Sequence, residues 1–386
     1  QPFSGEKDGA NSVTSLKDYR LVYVGPANHE TAVGDYAENL IRALRPHLGE
    51  LVERRTLGPG AESAAEVLGH RRAVAGLVAG GQPGRVLVHA ELAAGAVSAF
   101  WSIAGLRGVP VTATIHDPPQ GIWWPGRTRF MAHHKLVMHG FHYPLRPVSR
   151  MVEGVVNGDR TLFALSKVGA QSIRDTYPNT DVAYTPYLVC ERPEVRPVTE
   201  RPKAVGFFGH VYRGKGFEQI ARIRRELPDD IVIRVAGRGT EALPGGPGIE
   251  IVGAVDGPAE DAFFDSVRAV VIPYGKRHFY AETYPASGAV AHAFAYGTPV
   301  VCTDYGSLAE FGTETGAVVV PMDSADPKAL PAGFSAAIEA LLNDEARLKE
   351  LEVNVCRTRQ ERSPENVAAA YAAKWSEMLT RQGRLN

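Results

Sequence analysis

The centre of the chain, residues 203–216 (KAVGFFGHVYRGKG), joins a short apolar run to a glycine-rich turn, and an apolar-periodic helix follows. A strand that ends in such a turn presents bare backbone N–H groups, and the positive end of the next helix faces the same point. Lys215 adds a full charge to this predicted anion site. Because the unit lies in mid-chain, it cannot open a simple nucleotide-binding domain, and a region of similar size must precede it.

The length and composition of the chain indicate two ordinary globular domains. Its 386 residues are long for one hydrophobic core and comfortable for two. With 22% charged residues and a formal net charge of -1, the chain has no overall attraction to nucleic acid or to anionic lipid. Any charged partner must therefore be bound locally.

The cysteine pattern and the first residues bear on the cellular compartment. Cys190, Cys302 and Cys356 are far apart and lack metal-ligand spacing, so we expect neither a disulfide framework nor a zinc site. No apolar run reaches the length of a bilayer span, and the polar residues 1–18 are expected to form a mobile tail. We therefore expect a cytoplasmic protein, with peripheral contact to the inner face of the membrane as an alternative.

Short runs rich in valine and isoleucine alternate with stretches of helical periodicity, which is typical of parallel sheets with crossover helices. The sequence thus predicts an α/β fold with two doubly wound sheets. The clearest helix covers residues 34–46, with an apolar stripe of Tyr36, Leu40, Ile41 and Leu44. The first series of strands is predicted at residues 20–25, 85–89, 110–116, 161–166 and 182–186. The second series is predicted at residues 204–209, 231–237, 249–252, 269–273, 298–302 and 317–321.

A proline-bearing segment with alternating charges, residues 190–203, separates the two series. Its prolines and charges make it too stiff and polar to belong to either core, so we place the domain boundary there. The first domain is then residues 19–195 and the second residues 203–365. A strong helix former near the end of the chain, residues 366–379, is expected to pack back across the first domain through Tyr371 and Trp375.

Several segments, taken together, resemble the retaining family 4 glycosyltransferases of the GT-B fold. The resemblance implies two Rossmann-like domains that face each other across a cleft, with a nucleotide sugar on the C-terminal domain and an acceptor on the other. In the second half it is carried by GHVYRGKGFEQI (residues 209–220), VAGRGTE (235–241) and AFAYGTPVVCTDYGSLAE (293–310). In the first half it is weaker and is carried by GDYAENLIRAL (34–44), LVHAELAAG (87–95), RGVPVTATIHD (107–117) and LFALSKVGAQSI (162–173).

The resemblance implies a diphosphate site at the glycine turn. Lys215 is expected to bind the diphosphate, with assistance from Arg213 and from the backbone at Gly209 and Gly214. The alternative is that both cations are solvated loop charges. Members of the family usually carry arginine directly after the first glycine of this turn, where this chain has His210, so the part played by His210 is left open.

A larger departure concerns two glutamates that the family often carries with seven residues between them, because this chain has Tyr284 and His292 at those positions. In their place, Ser287 as helix cap and Gly288 as first helical residue are expected to bring N–H groups to the phosphate. The alternative is plain capping. Ribose recognition then falls to His292 or Glu310.

Two further donor contacts follow from the resemblance. Glu282 is expected to lie close to the donor sugar. Gly34, at the loop that opens the first helix, is placed like the family's glycine that contacts phosphate from the other side of the cleft.

His116 and Asp117 follow a predicted strand and precede two prolines, so both side chains emerge at the edge where open α/β sheets bind ligands. The resemblance places His116 beside the sugar undergoing transfer, with Asp117 accepting a hydrogen bond from an acceptor hydroxyl or orienting the ring. A buried, satisfied histidine is the alternative. His89, at the end of the preceding strand, is expected to be structural.

Residues 121–160 are unusually basic and aromatic. They suggest contact with a phospholipid headgroup, a lipid-linked diphosphate acceptor or an anionic glycan, or else an insertion whose aromatic residues are partly core. His133, His134 and His139 have no carboxylate or cysteine nearby to complete a metal site, and an isolated patch in a neutral protein argues against nucleic acid. The aromatic residues concerned are Trp123, Trp124, Phe130, Phe141 and Tyr143.

Together these patterns predict a glycosyltransferase that moves a sugar from a UDP- or GDP-linked donor to a hydroxyl of a glycan, a glycolipid or a small molecule. Retention at the anomeric carbon is implied by the resemblance alone. No metal is expected, because Lys215, Arg213 and the helix end at Ser287 would stabilise the leaving diphosphate. Two alternatives are a non-catalytic nucleotide-sugar-binding partner subunit, suggested by the missing glutamates, and a sugar-phosphate synthase of the same fold.

Overall fold

The computed structural model describes residues 15–120, 127–276, 282–322 and 326–384. Within these ranges the chain forms two parallel six-stranded sheets, each covered by helices on both faces. No helix in the described ranges is long and apolar enough to cross a membrane.

The first sheet has the strand order β2-β1-β3-β4-β5-β6, and all its strand pairs are parallel. Its strands are β1 (Arg20–Pro26), β2 (Glu50–Thr56), β3 (Val86–Leu92), β4 (Val111–Ile115), β5 (Thr161–Ala164) and β6 (Asp181–Tyr184). Its helices are α1 (Ala32–Leu44), α2 (Ala64–Ala79), α3 (Val97–Ile103), α4 (Arg129–His133), α5 (Lys135–His142), α6 (Arg146–Asn157) and α7 (Lys167–Thr176).

The second sheet has the order β12-β11-β10-β7-β8-β9 and is also parallel. Its strands are β7 (Ala204–Phe208), β8 (Val232–Ala236), β9 (Ile249–Gly253), β10 (Ala269–Ile272), β11 (Val300–Thr303) and β12 (Ala317–Val320). The remaining helices are α8 (Ile220–Glu226), α9 (Gly257–Asp265), α10 (Gly288–Ala295), α11 (Leu330–Leu342), α12 (Glu345–Glu361) and α13 (Pro364–Arg381). Short 3-10 turns lie at Leu16–Asp18, Arg45–His47, Val198–Glu200, Phe217–Gln219, Thr240–Ala242, Gly306–Glu310, Thr313–Thr315 and Pro327–Ala329.

Each sheet buries both faces of its central strands, which explains why these strands are mostly apolar. In β1, Leu21 and Tyr23 pack on one side with α1 and α13, while Val22 and Val24 pack on the other side with α2 and α3. The apolar stripe predicted for the first helix is buried in α1. Each predicted strand overlaps an observed one, and the predicted α/β fold is confirmed.

The sequence pattern did not predict β2, whose sequence ELVERRT has more charged than apolar side chains. This strand lies at the edge of the sheet, so one side of its backbone needs no partner strand and its surface tolerates charge. Ion pairs replace apolar contacts there, including Arg20 Nε to Glu50 Oε2 at 2.6 Å and Arg55 to Glu38 at 2.7 Å.

The last helix, α13, lies in the first domain although it follows the second domain in sequence. The indole Nε1 of Trp375 donates to Thr112 Oγ1 at 3.1 Å, and the Tyr371 hydroxyl lies 2.7 Å from Thr114 Oγ1. Both aromatic side chains are fully buried against β1 and β5. The core of the first domain is therefore completed only by the end of the chain.

The sequence pattern predicted that the proline-bearing segment between the domains lies outside both cores, but part of this segment is buried. Val198 and Arg201 are buried against the second domain. The guanidinium of Arg201 donates to Thr298 Oγ1 at 2.8 Å and to the carbonyl of Tyr296 at 3.0 Å. The prediction was wrong because a buried arginine is tolerated where several carbonyl oxygens converge on it.

Candidate functional site

The carboxyl ends of the strands of both sheets meet at one cleft. The backbone N–H of Tyr284, in the loop after β10, donates to the carbonyl of Pro118, in the loop after β4, at 2.8 Å. Ser166 Oγ donates to the carbonyl of Tyr284 at 3.3 Å. Open α/β sheets bind ligands at this edge, and here two such edges face each other.

The glycine turn after β7 is held in a shape that other residues would not fit. Gly214 and Gly216 have φ values of 90° and 80°, and a Cβ atom on Gly216 would lie 2.3 Å from the carbonyl oxygen of Pro273. Lys215, between them, is therefore carried next to the end of β10. Its Nζ atom donates to the Tyr274 hydroxyl at 2.7 Å and lies 4.0 Å from the centre of the Tyr274 ring.

Tyr274 links this turn to the start of α10. Ser287 Oγ donates to the Tyr274 hydroxyl at 3.2 Å and accepts the Val290 N–H at 3.3 Å as the helix cap. Burial raises the pKa of the Tyr274 hydroxyl to about 12, so it stays protonated. The sequence reasoning missed Tyr274 because an aromatic residue at a strand end reads as core, although its place after the run AVVIP at the ligand edge was a signal.

Positive charge continues around the turn. Desolvation lowers the pKa of His210, and the charges of Arg238 and Lys215 lower it further. The charge of Asp35, in the first turn of α1 in the other domain, is close enough to raise the pKa of His210. Arg213 is exposed on the same turn. The sequence reasoning did not single out Arg238, which directly follows Gly237 at the end of β8.

On the opposite side of the cleft, His116 lies against a fully buried carboxylate that the sequence reasoning missed. His116 Nε2 is 2.5 Å from Glu91 Oε2, and the Tyr23 hydroxyl and His89 Nε2 contact the other oxygen. Burial alone would raise the pKa of Glu91, but hydrogen bonds and charges from His116 and His89 outweigh it and lower the pKa to about 2. A charged residue inside the buried strand VLVHAEL was the signal for this site.

His89 is buried and hydrogen-bonded, as the sequence analysis expects of a structural residue. Its Nδ1 atom lies 2.8 Å from Thr112 Oγ1, and its Nε2 atom lies 3.0 Å from Thr114 Oγ1. Its ring also packs edge-on against Tyr371 and Trp375 of α13. The network that positions His116 therefore reaches the last helix.

Asp117 does not orient the His116 ring, because Glu91 occupies that position. Asp117 Oδ2 instead accepts the Ala94 N–H at 3.0 Å, and its carbonyl accepts the Gln120 N–H at 2.9 Å. These contacts hold the loop after β4 to the loop after β3. Asp117 therefore positions loops and does not orient the ring, while the alternative that it accepts a hydrogen bond from an acceptor hydroxyl stays a prediction.

Close packing explains why position 34 is a glycine. A Cβ atom at this position would lie 2.0 Å from the carbonyl oxygen of Ala27, so the start of α1 can approach the loop after β1 only with glycine. Its N–H donates to Thr31 Oγ1 at 3.1 Å. The Gly34 N–H is thus part of the helix cap, and the expected contact of Gly34 with phosphate stays a prediction.

Glu310 lies at the junction of the two domains. Its Oε2 atom accepts the Lys167 N–H at 3.0 Å, and its Oε1 atom accepts from Arg362 at 3.1 Å and from the Tyr184 hydroxyl at 3.4 Å. The carboxylate is nearly buried. Both oxygens accept from protein donors, and the expected contact of Glu310 with ribose stays a prediction.

His292 and Glu282 lie at the borders of the cleft. His292 Nδ1 is 2.9 Å from Glu260 Oε1, and its ring packs 4.9 Å from the ring of Phe208 at the end of β7. Glu282 Oε2 accepts the Tyr284 hydroxyl at 2.9 Å, and its carboxylate is partly exposed. Within the described ranges, no three histidine, cysteine or acidic residues group together as a metal site would require.

The basic, aromatic segment does not bury its aromatic residues in the part the structure describes. Phe130, Phe141 and Tyr143 are all exposed, so the interpretation of these three as core is wrong. Trp123 and Trp124 lie outside the described residues.

Comparisons with known proteins agree with this architecture. Residues 202–344 match the family model described as Glycosyl transferases group 1. No curated protein gives a significant match. The glycine turn, Tyr274 and Ser287 all lie within the matched region.

Solved structures share the whole fold at low sequence identity. HepE from Anabaena, in complex with UDP and glucose, is 11% identical, with 93% of this chain and 100% of HepE covered and a TM-score of 0.60. WaaG, a glycosyltransferase involved in lipopolysaccharide biosynthesis, is 10% identical over 92% of this chain and 99% of WaaG, with a TM-score of 0.57. AviGT4, a glycosyltransferase involved in avilamycin A biosynthesis, is 15% identical over 94% of this chain and 98% of AviGT4, with a TM-score of 0.56. The two parallel sheets with flanking helices are the GT-B fold, as predicted.

Proposed function

We propose that this chain is a glycosyltransferase that moves a sugar from a nucleoside diphosphate sugar to a hydroxyl group of an acceptor. The observation that carries the proposal is the hydrogen-bonded series of Lys215, Tyr274 and Ser287, which joins the glycine turn to the start of α10 within the cleft. The family match of residues 202–344 supports it. The donors proposed are UDP- or GDP-linked sugars, and structures of HepE with UDP and with UDP-glucose favour testing UDP first.

The diphosphate would lie where these groups converge. The Tyr274 oxygen accepts hydrogen bonds from Lys215 and Ser287, which directs its own O–H towards a third group. A phosphate oxygen in that position would receive the O–H, the charge of Lys215 and the positive end of α10. Arg213, His210 and the backbone of Gly209, Gly214 and Gly288 complete the proposed donor site.

We propose that transfer needs no divalent cation. As the bond to the sugar breaks, negative charge grows on the diphosphate, and fixed positive groups that already point at it stabilise that charge without reorganisation. Lys215, Arg238 and the start of α10 are such groups. They would supply the charge neutralisation that a metal ion provides in other enzymes.

His116 is the proposed group beside the reacting sugar. Because its Nε2 atom is held by Glu91, its Nδ1 atom is the one left to exchange a hydrogen bond with a substrate hydroxyl. The edge of the Tyr36 ring also packs on the imidazole, at 5.3 Å between centroids. Glu91 is thus a positioning residue for the His116 ring.

The resemblance supports further proposals about the stereochemistry and the donor contacts. We propose from it that the anomeric configuration is retained. Glu282, partly exposed at the cleft border, is proposed to contact the donor sugar, and His292 is proposed to contact the ribose. The proposed acceptor is a glycan, a glycolipid or a small molecule with a free hydroxyl.

The test is a transfer assay with a panel of UDP- and GDP-linked sugars in the presence of a chelator, run beside nucleotide binding. Turnover in chelator supports the proposal. Nucleotide binding without turnover on any acceptor would favour a non-catalytic partner subunit, and turnover on phosphorylated acceptors alone would favour a sugar-phosphate synthase. Activity that disappears with chelation and returns with manganese would overturn the metal-independent scheme.

A further inference from the structure

Helix α6 exposes three large apolar side chains although it buries polar ones, while Val152 and Val156 of the same helix pack, partly buried, against the core. Ser149, Glu153 and Asn157, one helical turn apart, are buried. The outward positions carry Val148, Met151 and Val155, and Val155 is 80% exposed. A helix normally places its apolar stripe on the core, so this one exposes apolar area that the fold itself does not cover.

The neighbouring helices continue the same surface. Phe130 of α4 is 66% exposed, and Leu136 of α5 is 89% exposed. Val137 and Phe141, one turn apart on α5, are exposed as well, while Met138 and His142 of that helix are buried. We call the exposed set the α4–α6 surface. It consists of Phe130, Leu136, Val137, Phe141, Tyr143, Val148, Met151 and Val155.

Exposed large apolar side chains are concentrated in this one region of the described ranges. Of the fourteen large apolar side chains exposed in the described ranges, eight belong to the α4–α6 surface. Single exposed apolar residues are normal, whereas eight of them on three consecutive helices indicate an interaction site.

The charge around the α4–α6 surface is positive. Residues 127–157 contain five arginines and lysines and one acidic residue, a net charge of +4 with histidines neutral, against -1 for the whole chain. The one acidic residue, Glu153, is buried and accepts a hydrogen bond from the Tyr177 hydroxyl at 2.9 Å. Lys135 and Arg150 are exposed on the same helices as the apolar residues. The basic residues are Arg127, Arg129, Lys135, Arg146 and Arg150.

We propose that the α4–α6 surface docks on an anionic lipid bilayer. Apolar side chains flanked by cations fit the boundary between acyl chains and anionic headgroups. A second copy of the chain fits less well, because a two-fold interface would bring the same positive patch against itself. The proposal goes beyond the proposed function, since docking requires neither donor nor turnover.

Hydrogen bonds attach the α4–α6 surface to the first domain, on the proposed acceptor side of the cleft. The Arg129 N–H donates to the carbonyl of Glu62 at 2.7 Å, and its guanidinium donates to the carbonyl of Ala61 at 2.8 Å. Docking would therefore orient the proposed acceptor domain towards the membrane.

The experiment is flotation of the full chain with vesicles of phosphatidylcholine alone and of equimolar phosphatidylcholine and phosphatidylglycerol. We expect flotation with the anionic vesicles only, weakening as salt is added. Leu136→Ser with Val155→Ser should weaken binding by about tenfold. Lys135→Gln with Arg150→Gln should weaken it by about thirtyfold. These four positions are exposed, so folding should be unchanged, which circular dichroism and nucleotide binding check.

The matched control is Lys349→Gln with Val353→Ser, an exposed cation and an exposed valine on α12 of the second domain. It should float as the unaltered protein does. Absence of flotation with anionic vesicles, or equal flotation of all variants, would overturn the proposal. A concentration-dependent dimer that Leu136→Ser with Val155→Ser abolishes would instead assign the surface to a second copy of the chain.

Discussion

His116 Nε2 lies 2.5 Å from Glu91 Oε2, and this carboxylate is fully buried at the end of β3. The contact fixes which edge of the imidazole faces the protein and which faces the cleft. Tyr23 and His89 hold the second carboxylate oxygen, so the position of Glu91 is set from three directions. The position of His116 at the proposed acceptor side thus depends on a fully buried charge.

Replacing Glu91 by glutamine should reduce turnover without weakening nucleotide binding. Glutamine keeps the shape of the side chain but loses the negative charge that holds the His116 ring in place. We expect kcat to fall by about tenfold to a hundredfold, with the Kd for UDP or GDP unchanged. Steady-state kinetics and calorimetry measure the two quantities. Glu226→Gln, on the exposed side of α8, is the control, and a parallel loss of nucleotide affinity would show that Glu91 only supports the fold.

The stability of the protein should depend on pH through the same residue. The folded state lowers the pKa of Glu91 from 4.5 to about 2, so its contribution is fully present above pH 4.5 and is lost as the pH falls towards 2. Urea unfolding across this acidic range measures the free energy of unfolding. The unaltered protein should lose more stability than Glu91→Gln does over that range, and identical slopes would contradict the buried ion pair.

Trp375→Ala should destabilise the first domain, although position 375 follows the second domain in sequence. The indole is fully buried and donates to Thr112 Oγ1. Truncating such a side chain costs about 3–5 kcal/mol in the free energy of unfolding. Chemical denaturation measures this loss, and a change below about 1 kcal/mol would show that α13 is not part of the first domain's core.

Much of the fold could be predicted because buried parallel strands are mostly apolar, as β1 and β3 are. The edge strand β2 could not, because ion pairs rather than burial hold its charged residues. The turn that carries Lys215 could be predicted because glycines mark it. Glu91 and Tyr274 were missed because their importance arises from contacts between different strands, which spacing along the chain does not show.

Removing the Tyr274 hydroxyl should weaken nucleotide binding modestly. Tyr274→Phe keeps the ring under Lys215 but loses the O–H that we propose to donate to the diphosphate. A neutral hydrogen bond is worth about 0.5–1.5 kcal/mol, which corresponds to an increase in Kd of about twofold to tenfold. Calorimetry with UDP and GDP measures it. Tyr305→Phe is the control, and equal affinities for Tyr274→Phe and the unaltered protein would remove this hydroxyl from the site.

The central claim is that the cleft binds a nucleoside diphosphate through Lys215 without a metal ion. The most direct measurement is calorimetry of UDP and GDP in the presence of a chelator, with the unaltered protein, with Lys215→Ala and with Lys203→Ala as the control. Lys203 carries the same charge in a surface ion pair with Asp230. We predict that one nucleotide binds, that Lys215→Ala weakens it by about tenfold to a hundredfold, and that Lys203→Ala has no effect. Unchanged affinity in Lys215→Ala, or binding only after a divalent cation is added, would contradict the account.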